Sequence, residues 1–142
     1  MLQSNFEIAS AFPIVTEAYS QEITVLVLAD WDHLPSGLTQ SEQGFHMWLL
    51  RADHAERALS ILQRCQIPPD VLIVDEDYFG FPEDAADFCA QIRRMHRELP
   101  IIAFESEMME GESVLLSLGL CNKTLPPMAD AGTITGALAS FV

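Results

Sequence analysis

Val71-Leu72-Ile73-Val74-Asp75 is a run of four apolar residues, three of them β-branched, that ends on a carboxylate and is followed by Glu76 and Asp77. Branched side chains suit a pleated strand, and a run with no polar position suits a strand buried on both faces, as at the centre of a parallel sheet. The stretch therefore predicts a buried strand that delivers acids to its mouth. Thr24-Val25-Leu26-Val27-Leu28 has the same form and runs through Ala29 into Asp30 and Asp32. Two adjoining strands that end on acids point to an anionic, metal-binding cleft.

Working outward, apolar runs of strand length alternate with stretches of helical period, the pattern of a parallel sheet flanked by helices. Strands are predicted over 23–29, 45–50, 71–74 and 101–104, with a weaker one over 120–124. A helix over 53–65 places Ala55, Ala58, Leu59, Leu62 and Cys65 on one face and ends before Pro68 and Pro69. A second over 83–97 turns Phe88, Cys89, Ile92 and Met95 inward and carries Arg93, Arg94 and Arg97 at its negative end. A third spans 107–118, with Gly119 as the residue that closes it, and a fourth spans 128–141. Between Asp30 and Phe45, Pro35, Ser36, Gly37 and Gly44 interrupt any apolar face, so the first crossover helix is expected to be short or missing. The segment 6–13 is a candidate to cover the sheet face this leaves thin, the alternative being a flexible N-terminal arm.

The 142 residues suit one domain, read as an N-terminal extension over 1–21 and a folded domain over 22–142. Seven basic against 21 acidic residues leave a net charge of −14, which opposes binding to nucleic acid or anionic lipid. No apolar run approaches the roughly 18 residues of a membrane span, and the N-terminus lacks the charge pattern of a signal peptide. A cytoplasmic location is the expectation. Cys65, Cys89 and Cys121 are odd in number and far apart, which predicts reduced core thiols rather than a disulfide or metal framework. His33, His46, His54 and His96 have no metal-ligand spacing and are expected to be structural.

From Thr24 onward the chain resembles a response-regulator receiver domain (CheY-like), the module of two-component signalling. The resemblance is carried by Val25-Leu26-Val27-Leu28-Ala29-Asp30, Pro69-Asp70-Val71-Leu72-Ile73-Val74-Asp75, Leu99-Pro100-Ile101-Ile102-Ala103-Phe104 and Ser117-Leu118-Gly119-Leu120. It implies an α/β, flavodoxin-like (βα)5 three-layer sandwich around a five-stranded parallel sheet. It also implies that Asp75 stands at the phosphoacceptor position, a carboxylate nucleophile, with Asp30, Asp75 and Asp77 around a Mg²⁺ ion, Asp77 through its backbone carbonyl. Hard oxygen ligands and a phosphoryl group are what Mg²⁺ takes, and the ion spreads the developing phosphoryl charge.

The chain departs from the family pattern at three of its chemical positions. Ala29 stands where the first acid of the pair belongs, which weakens any Mg²⁺ site. Glu105 stands where a Thr or Ser captures a phosphoryl oxygen, and two like charges 4 Å apart cost roughly 4 kcal/mol at an effective dielectric near 20. Leu125-Pro126-Pro127 replaces the Lys-Pro that supplies a cation, with Lys123 the nearest lysine. Apart from weak Mg²⁺ binding, no cofactor is expected.

These departures predict an atypical receiver, a pseudo-receiver, that is not an enzyme and regulates a partner by protein–protein contact with phosphorylation lost or weakened. The alternative is a phosphoryl-accepting receiver using Asp75 with Mg²⁺. The resemblance implies a histidine kinase, an output domain or a second copy as the protein partner, docked on the face made by the last strand and last two helices. Two further readings are a small-molecule site at the carboxyl ends of the strands and the receiver-like module of a larger decarboxylase. Tyr78-Phe79-Gly80-Phe81-Pro82, beside the acids, offers interface anchors if exposed and packing if inward.

Overall fold

The computed structural model describes residues 21–29, 34–35, 45–79, 81–107 and 113–141. Strands are β1 (Gln21–Leu28), β2 (Phe45–Arg51), β3 (Val71–Asp75), β4 (Ile101–Phe104) and β5 (Lys123–Leu125). Helices are α1 (Ala55–Arg64), α2 (Pro82–Met95), α3 (Val114–Ser117) and α4 (Ala131–Ala139), and a 3-10 turn, Glu76–Tyr78, follows β3. All four strand pairings are parallel, in the order β2-β1-β3-β4-β5. The chain moves outward from β1 to β2 and then returns to the other side of β1 to make β3. That reversal opens a crevice at the carboxyl ends of β1 and β3, where open α/β sheets place their sites.

The two-residue period of the strands sorts their side chains into two cores. Ile23, Val25, Val27, Val71, Ile73, Ile102, Phe104 and Leu125 face α4, against Ile134, Ala137 and Leu138. Leu26, Leu28, Leu72, Val74, Ile101 and Ala103 face the other way, against Leu62 of α1, Phe88 and Ile92 of α2, and Leu115 of α3. Each large aliphatic side chain buried in this way contributes roughly 1.5–3 kcal/mol, which is why the uniformly apolar strands define the sheet. Leu34 packs on the α4 side. Leu34 and Pro35, the two described residues of the first crossover, lie in no helix. The remainder of 30–44, and residues 1–20 with the segment 6–13, lie outside the described residues.

Local chemistry explains where the elements stop. The His54 ring accepts the Arg57 N–H at 3.1 Å to start α1, and Pro82 opens α2, where no N–H is needed. Arg93 ties the end of α2 to the segments that lead into β4 and β5, donating to the Arg97 and Leu99 carbonyls at 3.2 and 2.7 Å and to the Asn122 side chain. That same Asn122 oxygen accepts the Ile101 N–H at 2.8 Å.

Three boundaries differ from the sequence reading by three residues or more. Glu107 is outside α3, which starts at Val114 because Ser113 caps it, its hydroxyl accepting the Leu116 N–H at 3.3 Å. Residues 108–112 lie outside the described residues. At the other end Gly119, at φ 70°, makes a Schellman closure: its N–H donates to the Leu116 carbonyl and that of Leu120 to Leu115. Leu120 is thereby used in leaving the helix, and β5 begins at Lys123. Finally, α4 starts at Ala131 behind the Asp130 cap, since Met128 at φ 60° cannot be helical.

The cysteines are all free thiols; Cys89 and Cys121 are buried and Cys65 is half-buried. Burial pushes Cys89 up to about 12 and Cys121 to about 11, so both stay protonated and unreactive at neutral pH. His46 packs edge-on against Trp48, and the His96 ring bonds to the Leu62 carbonyl. His33 lies outside the described residues. No helix among the described residues is long and apolar enough to cross a membrane.

Candidate functional site

Asp75 is the last residue of β3 and its register partner is Phe104, whose own partner is Leu125. The carboxyl end of the sheet therefore presents one acid in a row of apolar residues. Asp75 is 3% exposed, and its Oδ1 accepts the Asp77 N–H at 3.0 Å, which starts the 3-10 turn. Beside it is a cavity of about 10 Å³ lined by Asp75, Asp77, Phe104, Glu107, Pro127 and Met128. That is room for about one water molecule and not for a small organic ligand. A larger hollow, about 530 Å³, lies at the opposite end of the sheet between Ile67–Pro69 and His96–Pro100, remote from the acids.

The three consecutive acids go to three environments because β3 ends at Asp75 and the chain turns at once into the 3-10 turn Glu76–Tyr78. Asp75 continues the row that faces α4. Glu76 turns to the α2–α3 side, where it is buried and accepts a hydrogen bond from the Ser113 hydroxyl. Asp77 reaches the loop after β4: its carboxylate accepts the Ser106 hydroxyl and, at 2.8 Å, the Glu107 N–H. Burial pushes the Glu76 carboxyl above its ordinary value; the Ser113 bond opposes this, and the charges of Glu105, Asp77 and Asp75 add to it.

The sequence-predicted positions can now be placed. Asp75 and Asp77 share one mouth, while Asp30 lies outside the described residues. Ala29 is buried in the core at the end of β1. Glu105 follows Phe104, the last residue of β4; its charge falls on Glu76, and Phe104 lines the cavity beside Asp75. Leu125 is buried in the α4-side core, and Lys123, paired with Ile102 two residues before the strand end, is exposed. Ser106 enters the site just beyond the end of β4 at Phe104, its hydroxyl donating to the Asp77 carboxylate.

Mg²⁺ takes near-octahedral oxygen ligation. Among the described residues no three His, Cys, Asp or Glu side chains gather to hold a metal. The oxygens that the resemblance assigns to the ion are the carboxylates of Asp30 and Asp75 and the backbone carbonyl of Asp77, and of these Asp30 lies outside the described residues.

Sequence reasoning did not single out Ser113, Glu107 or Met128. A serine just before Val114-Leu115-Leu116 is a helix-start signal and marks Ser113 in retrospect. Nothing in the sequence announces that Met128 adopts φ 60°, a left-handed conformation that costs a residue with a side chain roughly 1–2 kcal/mol. The aromatic loop divides: Tyr78 donates its hydroxyl to the Asp53 carbonyl and Phe79 packs on Phe88 at 5.6 Å, whereas Phe81 is 69% exposed. Gly80 lies outside the described residues.

Three solved structures share this arrangement. The chain aligns with CheY4, a chemotaxis response regulator of Vibrio cholerae, at TM-score 0.62 and 14% identity, over 86% of this chain and 98% of that one. It aligns with the N-terminal domain of the nisin resistance regulator NsrR, a lantibiotic response regulator, at 0.58 and 15%, over 85% and 97%. With NtrX from Brucella abortus, solved in complex with ADP, the values are 0.65 and 14%, over 84% of this chain. The match spans about a quarter of NtrX, 26% of that chain. No family model and no curated protein matches the sequence. The chain has the CheY-like fold of response-regulator receiver domains.

Proposed function

We infer that the chain is an atypical receiver module of two-component signalling, which regulates a partner by protein–protein contact and in which phosphorylation of Asp75 is lost or weakened. The observation that carries this reading is the acidic turn itself. Asp77, the neighbour of Asp75, is closed onto the Ser106 hydroxyl and Glu107 N–H, and Asp75, Asp77 and Glu105 all press on the buried Glu76. An incoming phosphoryl group adds negative charge to a mouth already short of balance. Leu125, the first residue of the Leu125-Pro126-Pro127 stretch that stands in place of the family's Lys-Pro, is committed to the core. The proposal assigns the chain no turnover of its own; its partner is a histidine kinase, an output domain or a second copy.

The second reading, a phosphoryl-accepting receiver, is favoured by the position of Asp75 at the carboxyl end of the central strand, at the reversal of strand order. In that case Asp30, Asp75 and Asp77 would hold Mg²⁺, which supplies charge neutralisation to the phosphoryl group. Incubation with acetyl phosphate and Mg²⁺, followed by intact-mass measurement, separates the two. Substoichiometric or absent mass gain is expected; full labelling of Asp75, abolished in Asp75→Asn, would establish the second reading and end the first.

A further inference from the structure

β2 forms one edge of the sheet, on the far side from β5. The Ala52 N–H donates to the Val27 carbonyl at 2.9 Å, and in a parallel ladder that bond sets the alternation. The backbone groups of His46, Trp48 and Leu50 turn toward β1, and those of Met47 and Leu49 turn outward. Among the described residues no strand lies beyond them. Folded proteins usually blunt such an edge with Lys, Pro, a bulge or extreme shortness. β2 instead pairs one to one with β1 from Phe45 to Arg51, with no bulge, Lys or Pro. None of the chain's 21 acids stands on it, and apart from His46 its only ionisable side chain is Arg51, its last residue, which pairs with Asp53 at 3.2 Å. Trp48 and Leu50 are 53% and 43% exposed, on the side of the sheet that Leu26 shares with α1. Glu22 accepts the Trp48 indole N–H at 2.6 Å, so what the ring offers a partner is apolar.

We propose that this edge is an interface on which a second copy of the chain adds its own β2, antiparallel, about a two-fold axis at Trp48. The strand is complementary to itself in that register. The outward N–H and C=O of Met47 exchange hydrogen bonds with those of Leu49 in the other copy, and the two-fold repeats the exchange, so every outward group of the two residues is paired. Trp48 then stands opposite its own copy as a non-hydrogen-bonded pair, where side chains approach most closely and aromatic pairs are favoured. Leu50 comes opposite His46. Charge selects the same place: a net −14 makes most of the surface a poor contact for a second copy, whereas β2 brings no acid to face its mate. The interface lies at the opposite edge from the face made by the last strand and last two helices and does not involve Asp75, so it stands or falls apart from phosphorylation.

Sedimentation equilibrium of the full chain at about 100 μM should give twice its 15.8 kDa mass. Trp48→Lys sets a charge at the two-fold axis, beside Glu22 of the same copy, and should return the protein to the monomer mass with its circular dichroism unchanged. Cysteine cross-linking with oxidised glutathione reads the register, in a Cys65→Ser background because the other two cysteines are buried. Trp48→Cys sets the two thiols across a pair whose Cα atoms are about 4.5 Å apart, within disulfide reach. It should cross-link about tenfold faster than Leu50→Cys, whose two copies lie about 13 Å apart along the strands. A monomeric parent would leave the edge to a strand of another protein and overturn the pairing, as would a Trp48→Lys variant that stays dimeric. Equal cross-linking of the two cysteine variants would overturn the two-fold axis at Trp48.

Discussion

Replacing Glu76 by Gln removes one charge from the most crowded point of the site while leaving an oxygen for the Ser113 hydroxyl. At pH 8 the loss is the charge assistance of that hydrogen bond, about 1 kcal/mol. The gain is relief from burying a charge and from repulsion by Glu105, Asp77 and Asp75, each like-charge contact being worth up to about 1 kcal/mol at a partly hydrated site. The balance favours Gln by about 1–2 kcal/mol, or roughly 3–6 °C in Tm for a domain of this size. The pH dependence carries the sign. Glu76 has its folded-state value raised above the ordinary 4.5, so the folded state holds this proton more tightly than the unfolded chain. Its stabilising contribution is complete below the unfolded value and is lost as pH rises through the folded one. Parent and variant should therefore be nearly equal in stability near pH 4 and diverge in favour of Gln as pH rises above that. Urea denaturation at several pH values measures this. A variant less stable at pH 8, or a stability difference constant with pH, would refute the account of Glu76 as a buried, repelled carboxyl.

Two further outcomes test the frame that holds the site. Arg93→Ala removes the link from α2 to the Leu99 carbonyl and to Asn122 and should cost about 2–3 kcal/mol in urea denaturation, with little change in the alanine helix propensity of α2. Gly119→Ala places a Cβ at φ 70°, where space is open but the backbone is strained, and should lower stability by about 1 kcal/mol by the same measurement.

The strands and the sense of the sheet were legible because burial on both faces leaves a one-dimensional trace: 71–74 and 101–104 admit no polar residue, and both are central strands. The helix ends were legible where a chemical stop exists, as at Gly119 and ahead of Pro68 and Pro69. The site was legible only as positions. That Asp75 closes a buried strand follows from its neighbours in sequence. That Glu76 and Asp77 part company, one held by Ser113 and the other by Ser106, depends on residues about 30 to 37 positions away. Phe104 and Glu105 show the difference well: the residue types are read from the sequence, but that Phe104 pairs with Asp75 and that the charge of Glu105 falls on Glu76 depend on strand register and tertiary packing.

By itself the sequence determined the layered parallel sheet, the place of Asp75 at its mouth, and the absence of hydroxyl and lysine at the positions where the family pattern has them. These follow from local properties: hydrophobic period, turn chemistry and the identity of single residues. Only the tertiary structure decided which acids are buried, what holds each, and that Met128, at positive φ, lines the cavity beside Asp75. Those outcomes depend on how strands align and on where loops from distant parts of the chain meet, and distance in space between such residues leaves no periodic mark along the chain.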